Sequence, residues 1–246
     1  MRRLVIALLG GPLVAAGLLA GAATATTGGS DGSDDGAAVT GTSQTAPDLA
    51  PVDVLQVTGL FDRVVIEAID DAIDDAAADG SQALILQVNS GGTIASPADM
   101  TALIQRVADA PVPIGIWVGP ASSARLYGLP AQLMGVADVT AMVSGSRIGH
   151  TGRLVDLEGG RTVDFGAATD RLRSGTLSFQ DARALGALKL DTPDVGVPTI
   201  RSMVAAMDGV AVDGVVLDAE GVDDEKAAPN CRRRSFASAS SACWTS

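Results

Sequence analysis

The chain has 246 residues, 47% of them apolar and only 3% aromatic, so its core must be built from Val, Leu, Ile and Ala. A formal charge of −12 repels phosphate backbones and argues against nucleic acid as a partner. Both cysteines, Cys231 and Cys243, lie near the C-terminus and His150 is the sole histidine, so the body has no thiolate cage, no redox motif and no His-rich metal site. No cofactor and no metal are expected.

The N-terminus places Arg2 and Arg3 before an apolar run from Leu4 to Leu19, followed by the small residues Ala23-Thr24-Ala25. This is the pattern of an export signal, and the same run left uncleaved would anchor the chain in a membrane. Either reading of residues 1–25 sends the following domain to the extracytoplasmic face. Residues 26–50 are rich in Gly, Ser, Thr and Asp and read as a disordered spacer.

From residue 51 strands and helices alternate. "VDVLQVTG" (52–59) is a β-branched strand, and the next segment places Val65, Ile66, Ile69, Ala72 and Ile73 on one helical stripe, with Gly80 capping it. "ALILQV" (83–88) has the continuous apolar character of a strand buried in a parallel sheet. After the "NSGG" turn, Ser96 and Pro97 mark a helix start. "VPIGIWVG" (112–119) is a further strand, a small-residue helix is expected over 121–135, and "DVTAMV" (138–143) is the next strand. A looser stretch from Gly145 to Gly175 precedes "SFQDARALGA", where Ser178 and Asp181 have capping-box spacing. "LKLDTP", "VPTIRSMVAAMDG" and "VAVDGVVL" read as strand, helix and strand. The whole predicts an α/β domain over 51–218, built from β-β-α and βαβ units around a largely parallel sheet. From about residue 219 periodicity ceases, and "CRRRSFASASSACWTS" reads as an atypical tail, either a native disordered end or a frame-shifted replacement of a longer chain.

Taken in order, "QVNSGG", "SARLYGLP", "ADVTAMVSGSRIG" and "DARALGALKLDTPD" resemble the ClpP/crotonase superfamily, and within it the NfeD-type membrane-bound serine proteases. The resemblance implies a ClpP/crotonase-like fold and a Ser–Lys dyad for peptide cleavage. It implies an oxyanion hole at Gly91 and Gly92, where glycines let main-chain N–H groups face a developing negative charge. Asn89, Ser90 and Arg125 fall beside that site as structural residues. It also implies a stomatin-like membrane protein as partner, offering an apolar peptide segment, and self-association into a homo-oligomer.

The dyad positions depart from the family. The nucleophile's place is occupied by Gly128, and no lysine stands between Gly128 and Lys189, itself expected in a strand. Glycine has no group with which to attack a carbonyl. The leading reading is therefore a pseudo-protease that retains the fold and the peptide groove. A rewired pair of Ser122 or Ser123 with His150 is the enzymatic alternative, and a non-catalytic assembly module is the third. Ser144 and Ser146 are expected to cap a turn, and Asp138 to cap or to pair with an arginine. The acidic helix residues Asp62, Asp70, Asp71, Asp74, Asp75 and Asp79 lack the glycine turn of a calcium loop and read as a solvated face.

Overall fold

Five parallel strands form the centre: β1 (Val52–Thr58), β2 (Ala83–Asn89), β3 (Ile114–Val118), β5 (Val139–Met142) and β10 (Cys231–Arg234), in the spatial order β10-β1-β2-β3-β5. Three further strands, β4 (Arg125–Tyr127), β6 (Arg147–Gly149) and β7 (Thr176–Ser178), make a small second sheet. The computed structural model describes residues 50–190, 194–212 and 214–218, and of 231–234 the backbone. The leader and spacer expected over 1–50 fall almost entirely outside the described residues, as does most of the tail. Within the tail, however, residues 231–234 run parallel to β1 as an edge strand. No helix among the described residues is long and apolar enough to cross a membrane.

The strands alternate their side chains between two apolar layers, as the two-residue period requires. Leu84, Leu86 and Val88 of β2 face one layer, shared with helix α1 (Arg63–Ala78) and helix α2 (Pro97–Ala108). Ala83 and Ile85 face the other, shared with Met203 and Val204 of helix α6 (Ile200–Ala206). On α1 the stripe Val65, Ile66, Ile69, Ala72 and Ile73 is buried as its spacing requires. Fully burying Ile69 and Ile73 contributes roughly 1.5–3 kcal/mol each. Asp62 caps α1 by accepting the Val65 N–H, and Ser96 caps α2 through the Asp99 N–H. At the far end of α1 the cap is Asp79, and Gly80 takes the left-handed conformation one residue later.

Three expected elements differ. The helix over 121–135 is instead a turn, then β4, then a 3-10 turn at Leu129–Gln132 and the single-turn helix α3 (Leu133–Val136). Leu126 is wholly buried in register with Ile148 of β6, and that pairing outweighs local helical preference. Gly128, at φ +73°, then makes the sharp strand-to-helix corner. "LKLDTP" forms no strand over its described part. Lys189 and Leu190 instead donate their N–H groups to Thr140 Oγ1 and Thr140 O at the side of β5. "VAVDGVVL" folds back on itself as an antiparallel hairpin, β8 (Ala211–Val212) and β9 (Val215–Val216), because Gly214 turns the chain. The loose stretch contains β6 and helix α4 (Thr169–Ser174). After it, β7 leads into helix α5 (Phe179–Ala184), where Ser178 accepts the Asp181 N–H.

Candidate functional site

The end of β2 continues into the small sheet. Ser90 bridges Leu126, donating its N–H to Arg125 O at 2.7 Å and accepting the Tyr127 N–H at 3.2 Å. Beyond it, the Ser90 hydroxyl donates to Gly92 O at 2.9 Å and also lies 3.2 Å from Gly92 N as acceptor. Buried Ser90 thus clamps the glycine turn and uses the Gly92 N–H, whereas the Gly91 N–H has no hydrogen-bond partner among the described residues. Asn89 Oδ1 accepts the Arg125 N–H at 3.2 Å and ties β4 to the same corner.

Gly128 closes the site from the opposite side. A Cβ added there would lie 3.7 Å from Gly92 Cα and 3.8 Å from Pro130 Cδ, ordinary contacts, so the corner has room for a Cβ that glycine does not supply. Its φ of +73° and ψ of −153° lie in a region essentially restricted to glycine. The Gly128 N–H is held by Gly149 O at 3.0 Å. Gly149 itself is obligatory, since a Cβ on it would stand 2.2 Å from Gly175 O.

His150 follows β6 with φ +54°, donates its N–H to Gly175 O at 2.8 Å, and sets its ring edge-on to Tyr127 with centroids 5.7 Å apart. Ser122 and Ser123 occupy the exposed turn that precedes β4, with Ser122 O against Gly145. Because β4 and β6 are parallel, these serines and His150 stand at opposite ends of the strand pair, separated by three paired residues, about 10 Å. The fold does not bring them together. Ser146 is buried and donates its hydroxyl to Val143 O, a turn-capping contact.

Lys189 is remote from Gly128. Its Nζ donates to Ala137 O, before the start of β5, whereas Gly91 and Gly92 lie past the end of β2. In a parallel sheet these are opposite ends. Burial lowers the Lys189 pKa, with Asp138 and Asp164 opposing the shift. Asp138 accepts the Ile114 N–H at 2.9 Å, the capping role of the two expected for it rather than an arginine pair, and its charge acts on this lysine. On α1, Asp70 and Asp74 face Arg106 of α2, and burial raises the Asp70 pKa.

Two features of the site were not anticipated from the residues. Leu60, Val64 and Ile94 are exposed apolar side chains: Leu60 lies 4.0 Å from the Cβ position of Gly91, Ile94 follows the glycine turn, and Val64 is on the first turn of α1. Their signal was faint: single apolar residues at strand and helix ends, which are common on any surface. Buried Gln132 is the second. Its Nε2 donates to Thr151 O and Arg153 O, and its Oε1 accepts the Val155 N–H, all at 2.9 Å, so it pins the loop after His150. A glutamine in a turn carries no such message by itself.

No protein-family model and no curated protein matches the chain. Among solved structures, a lysine-to-alanine mutant of the membrane-bound stomatin-specific protease 1510-N, in complex with a substrate peptide, matches with a TM-score of 0.58 at 17% identity. That match covers 78% of this chain and 94% of that one. A serine-to-alanine mutant of the same protease gives 0.59 at 17% identity, covering 76% and 98%. The 1510-N protease specific for a stomatin homologue from Pyrococcus horikoshii gives 0.55 at 20% identity, covering 75% and 91%. At these identities the likeness shows the fold alone, an α/β fold with a mostly parallel sheet shared with that protease.

Proposed function

We propose that this chain is an exported, membrane-proximal homologue of ClpP-class proteases that binds an extended apolar peptide segment without cutting it. The observation that carries the reading is Gly128. The strand-to-helix corner that would present a nucleophile stands against the glycine turn, and it carries a glycine where a Cβ would meet only ordinary contacts. Among the described residues the one lysine, Lys189, is at the other end of the sheet and out of reach as a base. What remains is a clamped turn with an available amide at Gly91 and the apolar rim of Leu60, Val64 and Ile94. Such a surface favours an extended apolar chain held by main-chain hydrogen bonds. A stomatin-like membrane protein, the substrate class named for the structurally similar protease, is the proposed partner.

The test is covalent labelling with a fluorophosphonate probe, read by peptide mass spectrometry. No serine should label above a heat-denatured control. Labelling at Ser122 or Ser123 that disappears in His150→Ala would establish the relocated enzyme instead.

A further inference from the structure

Arg125 of β4 and Arg147 of β6 are register partners in a parallel pair. Their neighbours Leu126 and Ile148 are both buried, so the two arginines project together from the opposite, solvent-facing side of the small sheet. Both are exposed, and neither forms an ion pair with a described residue. Like charges directly opposite one another across a strand pair are destabilising, and this chain, at −12, has carboxylates in excess to offset them. The pair is nonetheless left without one. Arg125 also leans over the glycine turn, its Nε 3.6 Å from the Cβ position of Gly91, next to the Gly91 amide. The same strand face continues to Tyr127 and the edge-on ring of His150.

We infer that Arg125, Arg147 and the Gly91 N–H form a carboxylate-binding site that receives the free C-terminus of the bound peptide. The inference rests on the peptide-binding reading above and specifies its ligand. A carboxylate placed there accepts charge-assisted hydrogen bonds from the guanidinium groups and relieves their mutual repulsion. Gly128, whose Cβ position lies 3.7 Å from Gly92 Cα, stands across the same glycine turn, on the side where an attacking hydroxyl would otherwise be presented. A chain that ends at this point presents no bond to cleave, which suits a site without a nucleophile. The apolar rim then takes the residues preceding the terminus.

Fluorescence anisotropy with the full chain tests this, using one fluorescein-labelled hexapeptide of Val, Leu and Ala as its free acid and as its C-terminal amide. The free acid should bind about tenfold more tightly, the scale of one charge-assisted contact. The preference should fall to about onefold in Arg125→Gln/Arg147→Gln, with circular dichroism checking that the variant is folded. Equal affinity of acid and amide for the wild-type chain overturns the carboxylate site and leaves peptide binding standing. Persistence of the preference in the folded double variant also overturns it. Binding of neither peptide overturns both readings. Arginine-dependent binding to phosphatidylglycerol vesicles, with acid and amide equal, would reassign the pair to a lipid surface and overturn the proposal.

Discussion

Substituting serine for Gly128 separates two kinds of constraint on this corner. The position has φ +73° and ψ −153°, a conformation that costs a non-glycine residue about 1–3 kcal/mol. Sterically it is open, with a new Cβ meeting only ordinary contacts at 3.7 and 3.8 Å. Gly128→Ser should therefore fold, with stability lower by about 1–3 kcal/mol, or a Tm drop of roughly 2–12 °C for a domain of this size. Gly149→Ala supplies the contrast. Its φ of +145° is also unfavourable, but its Cβ would lie 2.2 Å from a main-chain oxygen and 2.7 Å from Thr176 Cα. Backbone must move there, so the loss should exceed that at Gly128 by several kcal/mol, on the order of a severe core substitution. Urea unfolding of the two variants, read by tryptophan fluorescence, makes the comparison. Equal losses would refute the claim that the Gly128 corner has room for a Cβ. A Gly128→Ser variant that hydrolysed peptides would refute the absence of a base among the described residues.

Gln132→Leu keeps the volume but removes three hydrogen bonds, one buried and two part-buried, and should cost about 2–4 kcal/mol while raising hydrogen exchange at Thr151–Val155 before any change in the main sheet. Asp62→Ala should destabilise by about 1 kcal/mol through loss of the α1 cap, measurable as a denaturation midpoint shift at unchanged m-value. For Lys189, burial lowers the folded-state pKa below 10.5, so the unfolded chain binds the extra proton between the two values. Stability from this group rises with pH across that window, and below it the cost of burying the ammonium is present in full. The stability difference between Lys189→Met and wild type should accordingly move toward wild type as pH is raised to the unfolded value, in paired urea titrations.

Much of the central layer was legible from pattern because burial there follows the chain's own periodicity. "ALILQV" is apolar at every position but Gln87 and lies in the middle of the sheet with both faces covered. The stripe of α1 and the Ser96-Pro97 start of α2 are local signals that the packed structure retains. The site was half legible. Gly91 and Gly92 stood out as a glycine pair after a buried strand and Gly128 through the family resemblance, but their mutual approach was not legible, since thirty-five residues of chain lie between Gly92 and Gly128. The expected helix over 121–135 failed because Leu126 gains more from a buried place beside Ile148 than the segment gains from local helix.

The sequence by itself determined the alternating α/β order, the apolar faces that drive it, the acidic surface and the absence of a side chain at Gly128. These are properties of residue type and near-neighbour spacing, which persist whatever the distant chain does. Tertiary structure alone decided that Gly128 stands against Gly92, that Ser123 and His150 sit at opposite ends of a strand pair, and that Lys189 lies at the far end of the sheet. It also placed Arg125 beside Arg147. Pairing between segments far apart in sequence sets all four, and that pairing follows from which buried faces fit together, a quantity no single segment contains.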